Sequence, residues 1–123
     1  MKAIRLLFYV YLAGLIIATL FPFGDATQVL DTVYILSLRL DHLLHILGFF
    51  PLVPVWLALW PASNKWLVFA LGLFIAVVAE GMHYVLPYRA FNPNDLLANL
   101  AGVVAGMLML PLFSHLLKKI SKP

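Results

Sequence analysis

The sequence predicts an all-α membrane protein, with four transmembrane helices in an antiparallel bundle and both termini cytoplasmic. Three observations carry that prediction. First, the 123-residue chain is 64% hydrophobic and 11% charged, with a mean hydropathy of +1.02. That is more apolar surface than a soluble domain of this size can bury. Second, four stretches, about 6–23, 43–60, 66–85 and 96–113, meet or approach the roughly 17–25 apolar residues that a spanning helix needs. They leave little chain over, so the prediction is one domain covering 1–123. Third, with the N-terminus inside, Lys2, Arg5, Lys65, Lys118, Lys119 and Lys122 fall on the inner side and only Arg39 and Arg89 on the outer side. Lysine and arginine concentrate in cytoplasmic flanks, and inverting the topology would reverse that ratio.

The first span follows Lys2 and Arg5 and ends at Phe21-Pro22-Phe23-Gly24, since proline and glycine punctuate helices. Its apolar run is long for a signal peptide and no small-x-small cleavage site follows it, so it reads as an uncleaved helix. In the loop from Asp25 to Leu40, Val29, Leu30, Val33 and Tyr34 recur at helical spacing. One reading is a short helix in the outer interface; the other is a second span that starts early, near Asp31. Pro51 and Pro54 predict a kink in the second span. The short turn from Pro61 to Lys65 makes the second and third helices antiparallel neighbours. Around that turn, Trp56, Trp60 and Trp66 read as an interfacial aromatic belt, as do Tyr84 and Tyr88 on the outer side. Asn92-Pro93-Asn94-Asp95 reads as a helix start, with Asn92 as N-cap, Pro93 first and Asp95 third. The terminal lysines read as an anchor to anionic lipid. Ser114 and His115 read as interfacial.

All five acidic residues, Asp25, Asp31, Asp41, Glu80 and Asp95, fall on the predicted outer side. Residues three, four and seven apart share a helix face, which gives three stripes. Asp41, His45 and Gly48 form one, with His42 beside it. Gly72, Ala76, Glu80 and His83 form the second, and Asp95, Asn99, Gly102 and Gly106 the third. Each is polar toward the outer end and small toward the inner end. Small residues let helices approach closely, and polar groups at membrane depth must face the bundle interior. Glu80 lies about 8 Å below the outer mouth at ~1.5 Å per residue. The expectation is one shallow polar pocket open to the outside.

These residues carry a resemblance. Asp41-His42-Leu43-Leu44-His45, followed by Phe49, Phe50 and Leu52, resembles the first signature of VanZ-like membrane proteins. Glu80-x-x-His83, then Arg89, then Asp95-x-x-x-Asn99-x-x-Gly102-x-x-x-Gly106, resembles the second. His42 stands where the family usually has lysine, and His83 where it usually has glutamine. The resemblance implies a small multi-pass protein of the bacterial cytoplasmic (inner) membrane, in a cell-envelope family linked to glycopeptide (teicoplanin) resistance. It supplies no settled activity.

Four uses of the pocket stay open on the residues alone. The first is binding or processing of an anionic lipid or envelope-precursor headgroup. Arg89, Asp41, His42, His83 and Asn99 are then ligand candidates, and Glu80, Asp95 and His45 acid–base candidates. Arg89 offers a fork for phosphate and the start of the fourth span free amides. The second is a metal-dependent membrane hydrolase. Glu80 and His83 share one face at metal-ligand spacing, and His42, His45 and Asp41 could add ligands from the neighbouring helix. The third is transport or proton relay, for which four helices are few unless the chain forms a homo-oligomer. The fourth is a non-catalytic assembly or scaffold role, with Glu80 paired to Arg89 and His45 to Asp41. No cofactor is named by the sequence. Membrane lipids are the expected surroundings, and nucleic acid is not an expected partner, because the basic residues flank apolar spans. The absence of cysteine excludes disulfides and thiol chemistry.

Overall fold

The computed structural model describes residues 2–21 and 26–120, with the side chains of 26–28 and 116–120 excepted. Pro22 to Gly24, Asp25 and the side chains of Lys118, Lys119 and Lys122 therefore lie outside the described residues. The chain is mostly helical. Helix α1 (Lys2–Leu20) is followed by a short α2 (Ala26–Thr32) and a two-strand hairpin, β1 (Tyr34–Ile35) and β2 (Leu38–Arg39). Then come α3 (Leu40–Phe49), α4 (Leu52–Leu59), α5 (Lys65–Gly81) with a 3₁₀ turn at Met82–Tyr84, α6 (Pro93–Leu108) and α7 (Leu110–Ile120). Three helical stretches are long and apolar enough to cross a membrane: Lys2–Leu20, Leu40–Leu59 and Lys65–Tyr84. Their outward faces carry large apolar side chains such as Leu7, Val10, Leu67 and Phe74, as lipid contact requires. The protein is a membrane protein.

Local sequence explains where the elements begin and bend. The stretch Leu40–Leu59 divides at Phe50-Pro51, where proline removes a donor and its ring clashes with the preceding turn. The Asn64 side chain accepts from the backbone N–H groups of Trp66 and Leu67 and starts α5. Asn92 caps α6 by accepting from the N–H of Asn94, with Pro93 at the first position. The sequence expectation of one continuous fourth span differs from the structure, which interrupts it at Met109, two residues before Pro111. In the long loop the separate short helix is what forms. The hairpin after it has no turn signal in the sequence, because its two central residues, Leu36 and Ser37, take left-handed conformations (φ 50° and 68°) without glycine.

The core forms where α3–α4, α5 and α6 meet, around Phe49, Leu52, Val53, Ala76 and Val103. The most extensive packing joins α3 to α6. These two run in the same direction: Asn99 meets His45, Gly102 meets Ile46, and Gly106 meets Phe50. A Cβ on Gly102 would run into the Ile46 carbonyl oxygen, and one on Gly106 into that of Phe50, so only glycine permits this approach. Helix α1 lies antiparallel to α3–α4. Its Arg5 reaches the Leu59 carbonyl at one end (3.3 Å) and its Tyr11 hydroxyl donates to the Gly48 carbonyl near the middle (2.5 Å). Thr19 at its other end accepts from His83. Phe8, Trp56 and Trp60 interlock edge to face near the Arg5 end, while Trp66 stays outward-facing.

Candidate functional site

The polar ends of α3, α5 and α6 gather at the Thr19 end of the bundle, and they form two adjoining clusters. The first lies between α3 and α6. Arg39, the last residue of β2, holds Asp41 from two nitrogens: Nε to Oδ1 at 3.0 Å and Nη2 to Oδ2 at 2.5 Å. Nη2 also reaches Asp31 on α2 at 2.6 Å. The hairpin turn thus delivers the cation that compensates the first-turn carboxylate of α3. Hydrogen bonding to Asp41 raises the Arg39 guanidinium above its ordinary pKa against a smaller desolvation cost, so Arg39 stays charged. His42 and His45 point from α3 toward α6. His42 Nε2 stands 3.3 Å from Asp95 Oδ1 and 4.0 Å from Asp41 Oδ2. His45 Nδ1 donates to Asn99 Oδ1 at 2.7 Å, and its Nε2 lies 3.9 Å from Asp95 Oδ2.

The second cluster lies between α5, α1 and the start of α6, and it is fully buried. Glu80 and His83 are 0% and 2% exposed. His83 Nε2 donates to the Thr19 carbonyl at 2.7 Å, while Nδ1 faces Glu80 Oε1 at 2.9 Å. Glu80 Oε1 also accepts from the N–H of Asn92 at 2.9 Å. Since Nε2 must carry a hydrogen to meet a carbonyl, one further proton lies between Nδ1 and Oε1. The pair is therefore neutral overall whichever atom holds that proton, which suits a group removed from water.

The two clusters back onto one cavity of about 850 Å³. Its polar wall includes Asp41, His45, Asp95, Arg39 and Arg89, and its apolar wall Leu15, Ala18, Leu44 and Phe49. Arg89 donates to the Phe21 carbonyl at 3.2 Å in an exposed position, and Tyr88 lines the rim. Tyr84 instead stacks on Phe91 at 4.5 Å.

The sequence-selected residues are thus divided. Asp41, His42, His45, Asp95 and Asn99 come together, and Arg89 joins them across the cavity. Glu80 and His83 sit behind the cavity wall through Thr19 and Asn92. Three expectations change. Glu80 pairs with His83 and the Asn92 amide, not with Arg89. His45 bonds Asn99, not Asp41, because Arg39 occupies that carboxylate. The metal set of Glu80, His83 and His45 is not the one gathered, since both nitrogens of His83 are engaged within the chain. Among the described residues, the donors that converge are Asp41, His42 and Asp95, one atom of each within 4.8 Å of the others. Sequence reading gave no role to Arg39, Thr19 or Tyr11. A signal existed for Arg39, a cation two residues before a first-turn aspartate; a backbone carbonyl such as that of Thr19 gives none.

No curated protein and no solved structure matches the chain significantly. The family model described as VanZ/LLP1 matches residues 8–114. That span contains the hairpin, both polar clusters and the close packing of α3 on α6, and the chain belongs to the VanZ/LLP1 family.

Proposed function

We propose that the protein binds the phosphate of an anionic lipid, or of a lipid-linked envelope precursor, in the cavity beside Arg89. The observation that carries this reading is the division of the cavity walls. Arg39 and Arg89 lie on the polar side, and Leu15, Ala18, Leu44 and Phe49 on the apolar side. A lipid needs both: a cationic contact for its headgroup and an apolar track for its first chain segments. Arg39 is committed to Asp31 and Asp41, which leaves Arg89 as the guanidinium that meets phosphate. In this reading α6 and α7 together make a fourth span beside the three apolar ones, and the excess of lysine and arginine at Lys65 and the chain termini supports putting them inside and the cavity at the extracytoplasmic face of the bacterial cytoplasmic membrane.

Two measurements test the reading. Native mass spectrometry of protein released with minimal detergent reads the bound lipid directly. A retained phospholipid or polyprenyl phosphate that is lost in Arg89→Ala supports it; a bare chain, or an adduct indifferent to Arg89→Ala, overturns it. The topology is read separately. The chain has no cysteine, so Pro87→Cys and Ala62→Cys each introduce a single thiol. An impermeant maleimide added to intact cells should label the first, and the second only after permeabilisation.

A further inference from the structure

We propose that Asp41, His42 and Asp95 form a divalent transition-metal site of the zinc type at the edge of this cavity, which Asp41 and Asp95 line and His42 backs. The inference deepens the phosphate-binding reading and rests on it for the ion's role, though not for the ion's presence. Three ligating side chains gather there from two helices. The second observation is that two of these donors are buried and unsatisfied: His42 Nε2 and Asp95 Oδ1 have no hydrogen-bond partner, although Asp95 is only 9% exposed. They face each other at 3.3 Å without the alignment of a hydrogen bond. Two donors of a tetrahedral zinc ion, each ~2.0–2.2 Å from the metal, stand about 3.3–3.5 Å apart. Asp41 Oδ2 lies 4.0 Å from His42 Nε2, and one donor atom of each residue lies within 4.8 Å of the others, so Asp41 joins the same ion after an approach of up to about 1.4 Å.

The surroundings suit a metal as well. Arg39 takes one lone pair of each Asp41 oxygen and the His42 backbone N–H takes the second on Oδ1 at 2.8 Å, which leaves Oδ2 with a lone pair for an ion. Arg39 then serves as the outer partner that orients a ligating carboxylate. In neutral His45 the proton sits on Nδ1, facing Asn99 Oδ1. That leaves a lone pair on Nε2, 3.9 Å from Asp95 Oδ2, a further donor at the margin. One imidazole with two carboxylates favours a zinc- or manganese-like ion over the hard all-oxygen cations. The ion also removes a conflict in the phosphate reading. Asp31, Asp41 and Asp95 line the cavity against two arginines, so a phosphate entering it meets an excess of negative charge. A divalent ion held by Asp41 and Asp95 reverses that balance and offers phosphate an open coordination position.

The test is Zn²⁺ binding to chelator-treated, lipid-stripped protein in detergent, by calorimetry and by metal content after dialysis. The wild type should hold one ion per chain. His42→Lys sets an ammonium between Asp41 and Asp95 in place of the ion and so protects the fold, but does not ligate; it should lose at least ~100-fold in affinity. His83→Gln should bind as the wild type does. A wild type without stoichiometric Zn²⁺, a His42→Lys that binds normally, or loss confined to His83→Gln would each overturn the site. Lipid retention is read in the same preparations before stripping through Arg89→Ala, so failure of the metal and failure of the lipid reading are told apart.

Discussion

Gly102→Ala tests the packing that brings α3 and α6 together. An added Cβ falls well inside contact distance of the Ile46 carbonyl oxygen and meets Phe49 Cβ at 3.0 Å. Backbone does not swing aside like a side-chain tip, so α6 has to retreat. Ordinary C–H···O contacts lie at about 3.3–3.6 Å, which sets the retreat at about 1 Å. Asn99 is one turn away on the same face, and its 2.7 Å bond to His45 would stretch past hydrogen-bonding distance. Overpacking costs about 1–3 kcal/mol and the lost hydrogen bond about 1 kcal/mol. Against these, exchanging glycine for alanine within a helix gains about 0.5–1 kcal/mol. The clash wins, and the net effect is a destabilisation of about 1–3 kcal/mol. Gly14→Ala is the control: a Cβ there meets nothing within 4 Å, so only the propensity gain of about 0.5–1 kcal/mol remains. Reversible unfolding in mixed micelles measures both. A Gly102→Ala variant as stable as the wild type, or more stable, would refute the close approach of the two helices.

Two further outcomes follow from the hairpin that carries Arg39. Arg39→Leu strands Asp41, which is 8% exposed, and should cost about 1–3 kcal/mol. The double variant Arg39→Leu/Asp41→Leu should recover most of that loss in the same unfolding assay, because no orphaned charge remains; additive losses would show that the ion pair is not the cause. Ser37→Gly relieves a left-handed residue at φ 68° and should stabilise the protein by up to about 1 kcal/mol. It should also slow amide exchange at Ile35 and Leu38, the paired residues that flank the turn, and faster exchange there would show that the turn is not the one described.

Much of the fold was legible in the sequence because lipid imposes simple rules. Long apolar runs mark spanning helices. Pro51 and Pro54 announced the break between α3 and α4. Asn92-Pro93 announced the start of α6 to the residue, since capping is a local act of a side chain on its own backbone. The stripes were legible too: Gly72, Ala76, Glu80 and His83 are all buried, as are Asp95, Asn99, Gly102 and Gly106, because polar and small side chains have nowhere else to go. Partners were not legible. Helical periodicity gives a direction around an axis, but not which atom lies across the interface. Gly48 shows the limit: its stripe pointed it to the bundle interior, and the structure alone names Leu15 of α1 as its neighbour there.

The sequence by itself therefore determined that this is a helical membrane protein of the VanZ/LLP1 kind, with the polar ends of its three stripes drawn together. Composition, span length and motif spacing are properties of the chain that burial pressure converts directly into placement. Only the tertiary structure decided how those residues divide. It gave Asp41 to Arg39 through a hairpin with no sequence signal. It closed Glu80 and His83 into a neutral pair against Thr19 and Asn92, and left His42 facing Asp95 behind the cavity wall. Those pairings depend on the parallel register of α3 against α6 and on backbone carbonyls, which every residue carries and no pattern of side chains reveals.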